Sequence, residues 1–176
     1  MKWKSFVVES QSFDLSHLDG FDHRFIQVAE NGSPERQYRT WIKFSHHCFT
    51  EDIKPEDDSV LIYPSQTDVR TFNFRRWELS KHLPDIIKNL MSRHISHTEH
   101  QNFLTIEIID QNNQQFEYNI FFEVRRATND KRLHLVVSSA FPRDEDRISS
   151  RPKPNKVRFS TILFNVQHNK PIKPKR

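Results

Sequence analysis

Glycine is almost missing from this chain: Gly20 and Gly32 are the two among 176 residues. A phosphate-cradling loop needs several backbone positions without a Cβ, so neither the P-loop pattern nor the dinucleotide fingerprint can be written here. A nucleotide-driven motor or a nicotinamide enzyme of the usual kind is therefore not expected. Cysteine occurs once, as Cys48, which rules out an intramolecular disulfide. No apolar run approaches the roughly 18–20 residues that a bilayer-spanning helix requires, and no membrane partner is expected. The start, MKWKSFVVESQSFD, carries two lysines but only the short apolar run Phe6–Val8. No secretory signal is expected from it, and the expected setting is the reducing cytoplasm. Acidic residues are also missing, in one place: none follows Arg147.

That last gap makes the net charge of +4 uneven. From Arg143 onward ten Lys/Arg face three Asp/Glu, a local balance of +7, while the preceding 142 residues balance at −3. Such polarity points to a polyanionic partner on the C-terminal side; the plainer alternative is a basic linker and tail that only aid solubility. Hydrophobic residues make up 35% and charged residues 28%, but fifteen Phe offset the low apolar share because each buried ring removes a large area from water. The length suits one domain with a real core. We expect that domain over 1–166, with a flexible basic tail over 167–176.

Periodicity outlines an α+β fold. Short strand-like runs lie at Trp3–Glu9, Arg24–Ala29, Arg39–His46, Val60–Tyr63 and Val69–Phe74. From Arg75, apolar residues at Leu79, Leu83, Ile86, Ile87, Leu90 and Met91 form one helical face, predicting a principal helix over 75–93. Pro84 must either kink it or start a second segment. Four further strands are predicted at Phe103–Ile109, Phe116–Val124, Leu133–Phe141 and Val157–Val166, the first three joined by short polar links. A four-stranded C-terminal antiparallel meander packed by the helix is the economical architecture. On the second of these strands Phe116, Tyr118, Ile120, Phe122 and Val124 should face the core, leaving Glu117, Asn119, Phe121, Glu123 and Arg125 outward.

Two histidine groups raise the question of metal: His46-His47-Cys48, and His94, His97 and His100 at a spacing of three. Zinc needs its ligands to converge within about 2.0–2.3 Å. Adjacent His46 and His47 would point to opposite sides of a strand, and the second group falls where the helix should end. No metal and no cofactor are therefore expected. A nucleophilic role for Cys48 has the same weakness, since a strand would aim its neighbour His47 elsewhere, and Cys48 is expected to be a small buried hydrophobe.

Metal-free cleavage of RNA needs a base for the 2′-hydroxyl, an acid for the leaving oxygen, and cations over the developing phosphorane charge. Glu123 and His134, on adjacent strands near the same end, are the acid–base candidates. Arg125, Arg143 and Arg158 are the candidate phosphate holders. Ordinary cross-strand charge pairing explains the same residues, at roughly 0.2–1 kcal/mol a pair. Binding without chemistry draws on a wider basic set: Arg75, Arg76, Arg125, Arg126, Lys131, Arg132, Arg143, Arg151, Lys153, Lys156 and Arg158. Phe72, Phe74 and Trp77 around Arg75 are candidate base-stacking residues. One helix on an antiparallel sheet bearing Arg, His and Glu resembles small bacterial ribonuclease toxins in architecture, although no motif matches residue by residue. The expected partner is thus nucleic acid, RNA rather than DNA, and the expected function is binding or metal-independent endoribonuclease action of a toxin or defence type. The alternative is a non-enzymatic protein-interaction module, or a subunit of a larger assembly, that engages a protein partner through the Pro/Arg-rich loop PRDEDRISSRPKPNK (142–156) and the basic tail.

Overall fold

A computed structural model describes residues 2–30, 32, 34–65, 68–97, 102–109, 115–127, 132–143 and 155–172. The chain begins with a hairpin, β1 (Phe6–Val8) and β2 (Gln11–Phe13), then β3 (Phe21–Gln27) and β4 (Arg36–Phe44). Next come β5 (Thr50–Asp52), β6 (Ile62–Tyr63) and β7 (Arg70–Phe72), followed by α1 (Phe74–Ser80) and α2 (Leu83–Lys88). The second half holds β8 (His94–His97), β9 (Asn102–Ile109), β10 (Gln115–Arg126), β11 (Leu133–Pro142), β12 (Asn155–Arg158) and α3 (Phe159–Gln167). The fold is mixed α+β, dominated by strands in mainly antiparallel sheets.

Seven strands form the main sheet in the order β12-β8-β9-β10-β11-β4-β3, and every contact in it is antiparallel except β11 with β4. The alternation read along β10 holds: Tyr118, Ile120 and Phe122 are fully buried, and Glu117, Asn119, Phe121 and Glu123 are partly exposed. The sheet curls around α3. Phe159 at the start of that helix touches Phe122 of the central strand β10 and Phe25 of the far edge strand β3, at ring separations of 6.0 and 5.0 Å. Arg158 at one edge reaches Glu30, just beyond β3, at 3.4 Å. The concave side is therefore the core, and the convex side faces outward.

Two expectations need correction. The stretch 157–166 is not a fourth meander strand: pairing ends at Arg158 and the chain turns into α3. Phe159, Ile162, Leu163 and Val166 fall at i, i+3, i+4 and i+7, and three of them are fully buried. Their aromatic and β-branched character imitates a strand, but the core needs a helical face here. Asn169, at φ 54°, closes the helix in the left-handed conformation, with Lys170 N–H donating to Asn165 O at 2.8 Å and Asn169 N–H to Val166 O at 3.2 Å. Residues 168–172 stay folded against it: Asn165 donates to Pro171 O, and Ile172 packs on the core. The principal helix over 75–93 is likewise divided, into α1, α2 and a 3₁₀ turn at Leu90–Ser92. Pro84 sits in the first turn of α2, where its missing N–H costs nothing.

The smaller sheet, β5-β7-β6, and the β1-β2 hairpin hold an aromatic cluster. Phe72 stacks on Phe6 at 4.7 Å and also meets Phe13, Phe49, Phe74 and Trp77. The Trp77 indole donates to Asp14 O at 2.9 Å. Among the described residues no helix is long and apolar enough to cross a membrane.

Candidate nucleic-acid interface

Strand register decides which predicted site residues meet. Across the convex face Arg125 lies opposite His134, which lies beside Trp41, which lies opposite Asp22. The next row is Glu123, Val136 and Lys43. Phe121 follows opposite Ser139, and Asn119 lies between Thr105 and Phe141. The step from Phe122–Val137 to Phe121–Ser139 leaves Ser138 as a bulge, its hydroxyl donating to Phe121 O at 3.2 Å. Phe121 and Phe141 stack at 5.6 Å and 18°. All these side chains are partly or wholly exposed, whereas most of their concave-side neighbours, such as Ile42, Tyr118, Ile120, Phe122 and Leu135, are buried. The chain crosses close above Trp41 at Gly20, where a Cβ would come within 2.9 Å of the indole. Here glycine is required by proximity rather than by its dihedral freedom.

Glu123 and His134 are thus diagonal neighbours on one open face, roughly 7–8 Å apart at Cα. Glu123 accepts from Arg125 Nε at 2.7 Å and from its Nη2. Arg125 is 72% exposed, so the pair lies at the weak end of ionic interactions and an incoming phosphate can compete for the guanidinium. Arg143 and Arg158 do not join them. Arg143 holds Glu117 at 2.7 Å, six residues and about 20 Å along β10. Arg158 shares the convex face but lies three strands away on β12, at about 14 Å of lateral spacing.

The other basic candidates scatter. Arg132 reaches Asp22 at 3.5 Å; Arg126 and Lys156 are exposed, Lys156 on the convex side of β12. Arg75 is exposed on α1 with its guanidinium 5.1 Å from the Phe116 ring. Arg76 is structural: it donates to Thr50 O at 2.5 Å, lies 5.3 Å from the Phe141 ring, and burial lowers its pKa. Phe72 is buried in the aromatic cluster and cannot stack a base. Lys131, Arg151 and Lys153 lie outside the described residues, as does His100. A cavity of about 380 Å³ lies at the far end of β9 and β10, lined by Glu107, Gln115, Phe116, Glu117 and Arg143.

The His46-His47-Cys48 group is not on a strand. These residues form a 3₁₀ turn after β4, capped by the Ser45 hydroxyl, which accepts from His47 N–H at 3.3 Å. The turn aims both imidazoles the same way: His46 Nε2 and His47 Nε2 lie 2.7 and 3.0 Å from the two oxygens of Asp68. Burial is the main cause lowering the His47 pKa, helped by Arg70 and His46. Cys48 points the other way, into the core, where burial pushes its thiol up to about 12. It is a small apolar residue, not a nucleophile. Sequence reasoning missed Asp68 because its link to the histidines spans 22 residues and two strands of the small sheet, β5 and β6.

A curled, mainly antiparallel sheet with α3 packed on its concave side and a partly exposed polar–aromatic convex side defines the fold. The chain belongs to the YjaZ family, whose profile matches residues 5–167. It is 31% identical over 177 residues to protein YjaZ of Escherichia coli (strain K12), an alignment covering 97% of this chain and 94% of that one. No solved structure matches.

Proposed function

We propose that this protein binds single-stranded nucleic acid, RNA rather than DNA, across the convex face of its seven-stranded sheet. The observation that carries the reading is the company kept there by three aromatic side chains, Trp41, Phe121 and Phe141, with Lys43, Arg125 and Lys156 on the same face. Unpaired bases stack on aromatic rings exposed on a sheet, while flanking cations neutralise the backbone. Arg125 is free to exchange an exposed carboxylate for a phosphate. Glu123 and His134, either side of that guanidinium, are the acid–base pair that endoribonuclease action would use. Incubation with end-labelled RNA, for the wild type and for Glu123→Gln and His134→Ala, tests both parts. Cleavage lost in the two variants with binding retained supports the enzyme; binding without cleavage in any of the three limits the function to binding; no complex at all overturns both.

A second reading, a module for a protein partner, is favoured by one observation. Edge strand β3 and the residues after it leave Ile26 and Val28 exposed, at 47% and 68%. An exposed edge with apolar side chains is a template for pairing with another chain.

A further inference from the structure

Two adjacent histidines share one carboxylate, His46 Nε2 on Oδ1 and His47 Nε2 on Oδ2. We infer that His46, His47 and Asp68 form a mononuclear site for a divalent first-row transition cation of the zinc type, with a fourth position open to solvent. Their ligand atoms all lie within 4.8 Å of one another. Two imidazole nitrogens and one carboxylate oxygen are the donor set of open zinc sites, and the same set also suits ferrous iron. A tetrahedral cation with bonds of about 2.0–2.1 Å holds its ligands roughly 3.3 Å apart. Each imidazole now contacts a different oxygen of Asp68, at 2.7 and 3.0 Å, and these pairs would open by roughly 0.3–0.6 Å to admit such a cation. The side chains of His46, His47 and Asp68 are 16%, 35% and 35% exposed, so the site is reachable from water yet not fully solvated.

The surroundings fix these ligands. Ser45 N–H donates to Val137 O at 2.9 Å, tying the turn to β11, and Thr50 Oγ1 donates to His46 O at 2.9 Å. Tyr63 lies nearly parallel to the His46 ring at 6.1 Å. Ser65 Oγ is 3.3 Å from both His46 Nε2 and Asp68 Oδ1. The contacts of Ser45 and Thr50 hold the turn that carries the ligands, whereas Ser65 Oγ addresses the same Nε2 and Oδ1 that a cation would take and would yield to it. Among the described residues Arg70, 3.5 Å from Asp68, is an opposing charge, and it is also held by other groups: Asp52 takes its Nη1 at 2.6 Å and Thr50 Oγ1 its Nε at 2.9 Å. A serine-hydrolase relay does not fit the same residues. Ser65 and Asp68 both address Nε2 of His46, whereas a relay needs the acid on one ring nitrogen and the hydroxyl on the other.

The test is calorimetric titration of Zn²⁺ into the full chain stripped with a chelator, repeated for His47→Ala, for Asp68→Asn and for a control with His94, His97 and His100 all changed to Gln. The expected result is one equivalent bound by the wild type and the control, with affinity lower by about a hundredfold in each of the two site variants, the upper range seen even for outer-shell changes. Ring-nitrogen NMR of the unsubstituted protein gives a readout that needs no variant: Zn²⁺ should shift the Nε2 resonances of two histidines together. No uptake, uptake untouched by the site variants, uptake abolished in the control, or unshifted ring nitrogens would overturn the assignment.

Discussion

Among the described residues the buried Tyr118 hydroxyl meets no hydrogen-bond partner, and the side chain has no exposure at all. Burial raises its pKa well above the ordinary tyrosine value, so the group stays neutral at any physiological pH. An orphaned buried hydroxyl costs about 1–3 kcal/mol in desolvation, and removing it relieves that cost. Tyr118→Phe is therefore expected to leave stability unchanged or raise it by about 1 kcal/mol in urea denaturation. A loss of 2 kcal/mol or so would mean that the hydroxyl has a partner in solution. The same scale separates Arg76 from Arg125. One is bound to a backbone carbonyl beneath the surface and holds the fold, while the other, mostly exposed, is available to a ligand.

Among the elements, α3 gives the sharpest test. A strand over 157–166 would bury one of Ile162 and Leu163 and expose the other, whereas the helix buries both completely. Ile162→Ala and Leu163→Ala should each cost about 2–5 kcal/mol by equilibrium unfolding; one neutral substitution would contradict the helix. This element also shows what sequence reasoning can and cannot reach. Strand β10 was legible because strict alternation over a long segment has one interpretation, and the outward set Glu117, Asn119, Phe121, Glu123 and Arg125 followed from it. In α3, FSTILFNVQ carries strand-like residues at helix-compatible spacing, and only the packing of Phe159 between β3 and β10 decides. The histidine pair failed for a related reason: period-two reasoning on a presumed strand separated His46 and His47, and the Ser45 cap that turns the chain was not recognised. Asp68 had no local signal, since its role exists only after β5 and β7 pair.

For the whole molecule, half-buried histidines weaken stability as pH falls. Burial lowers the pKa of His17, which is hydrogen-bonded to Ser80 Oγ at 2.7 Å, and also that of His23. Groups with a folded pKa below the unfolded value bind more protons when unfolded as pH falls. Stability is then complete above the ordinary histidine pKa of about 6.5 and declines as pH drops below it. Denaturation midpoints should fall between about pH 7 and 5, and His17→Gln should flatten that slope. The open convex face is the other property of the whole molecule, and it depends on the sheet curling around α3 so that core and surface separate cleanly. Its acids and bases alternate at rest, so a polyanion must displace carboxylates such as Glu123, and binding should be salt-sensitive. Fluorescence anisotropy of a short labelled single-stranded RNA, read across salt for the wild type and for Lys43→Glu and Arg125→Glu, tests this most directly. With roughly three phosphate contacts, wild-type affinity should fall on the order of tenfold between about 50 and 200 mM salt, and both charge reversals should weaken binding and flatten the slope. Binding that ignores salt, or that survives both reversals unchanged, would contradict a nucleic-acid site on this face.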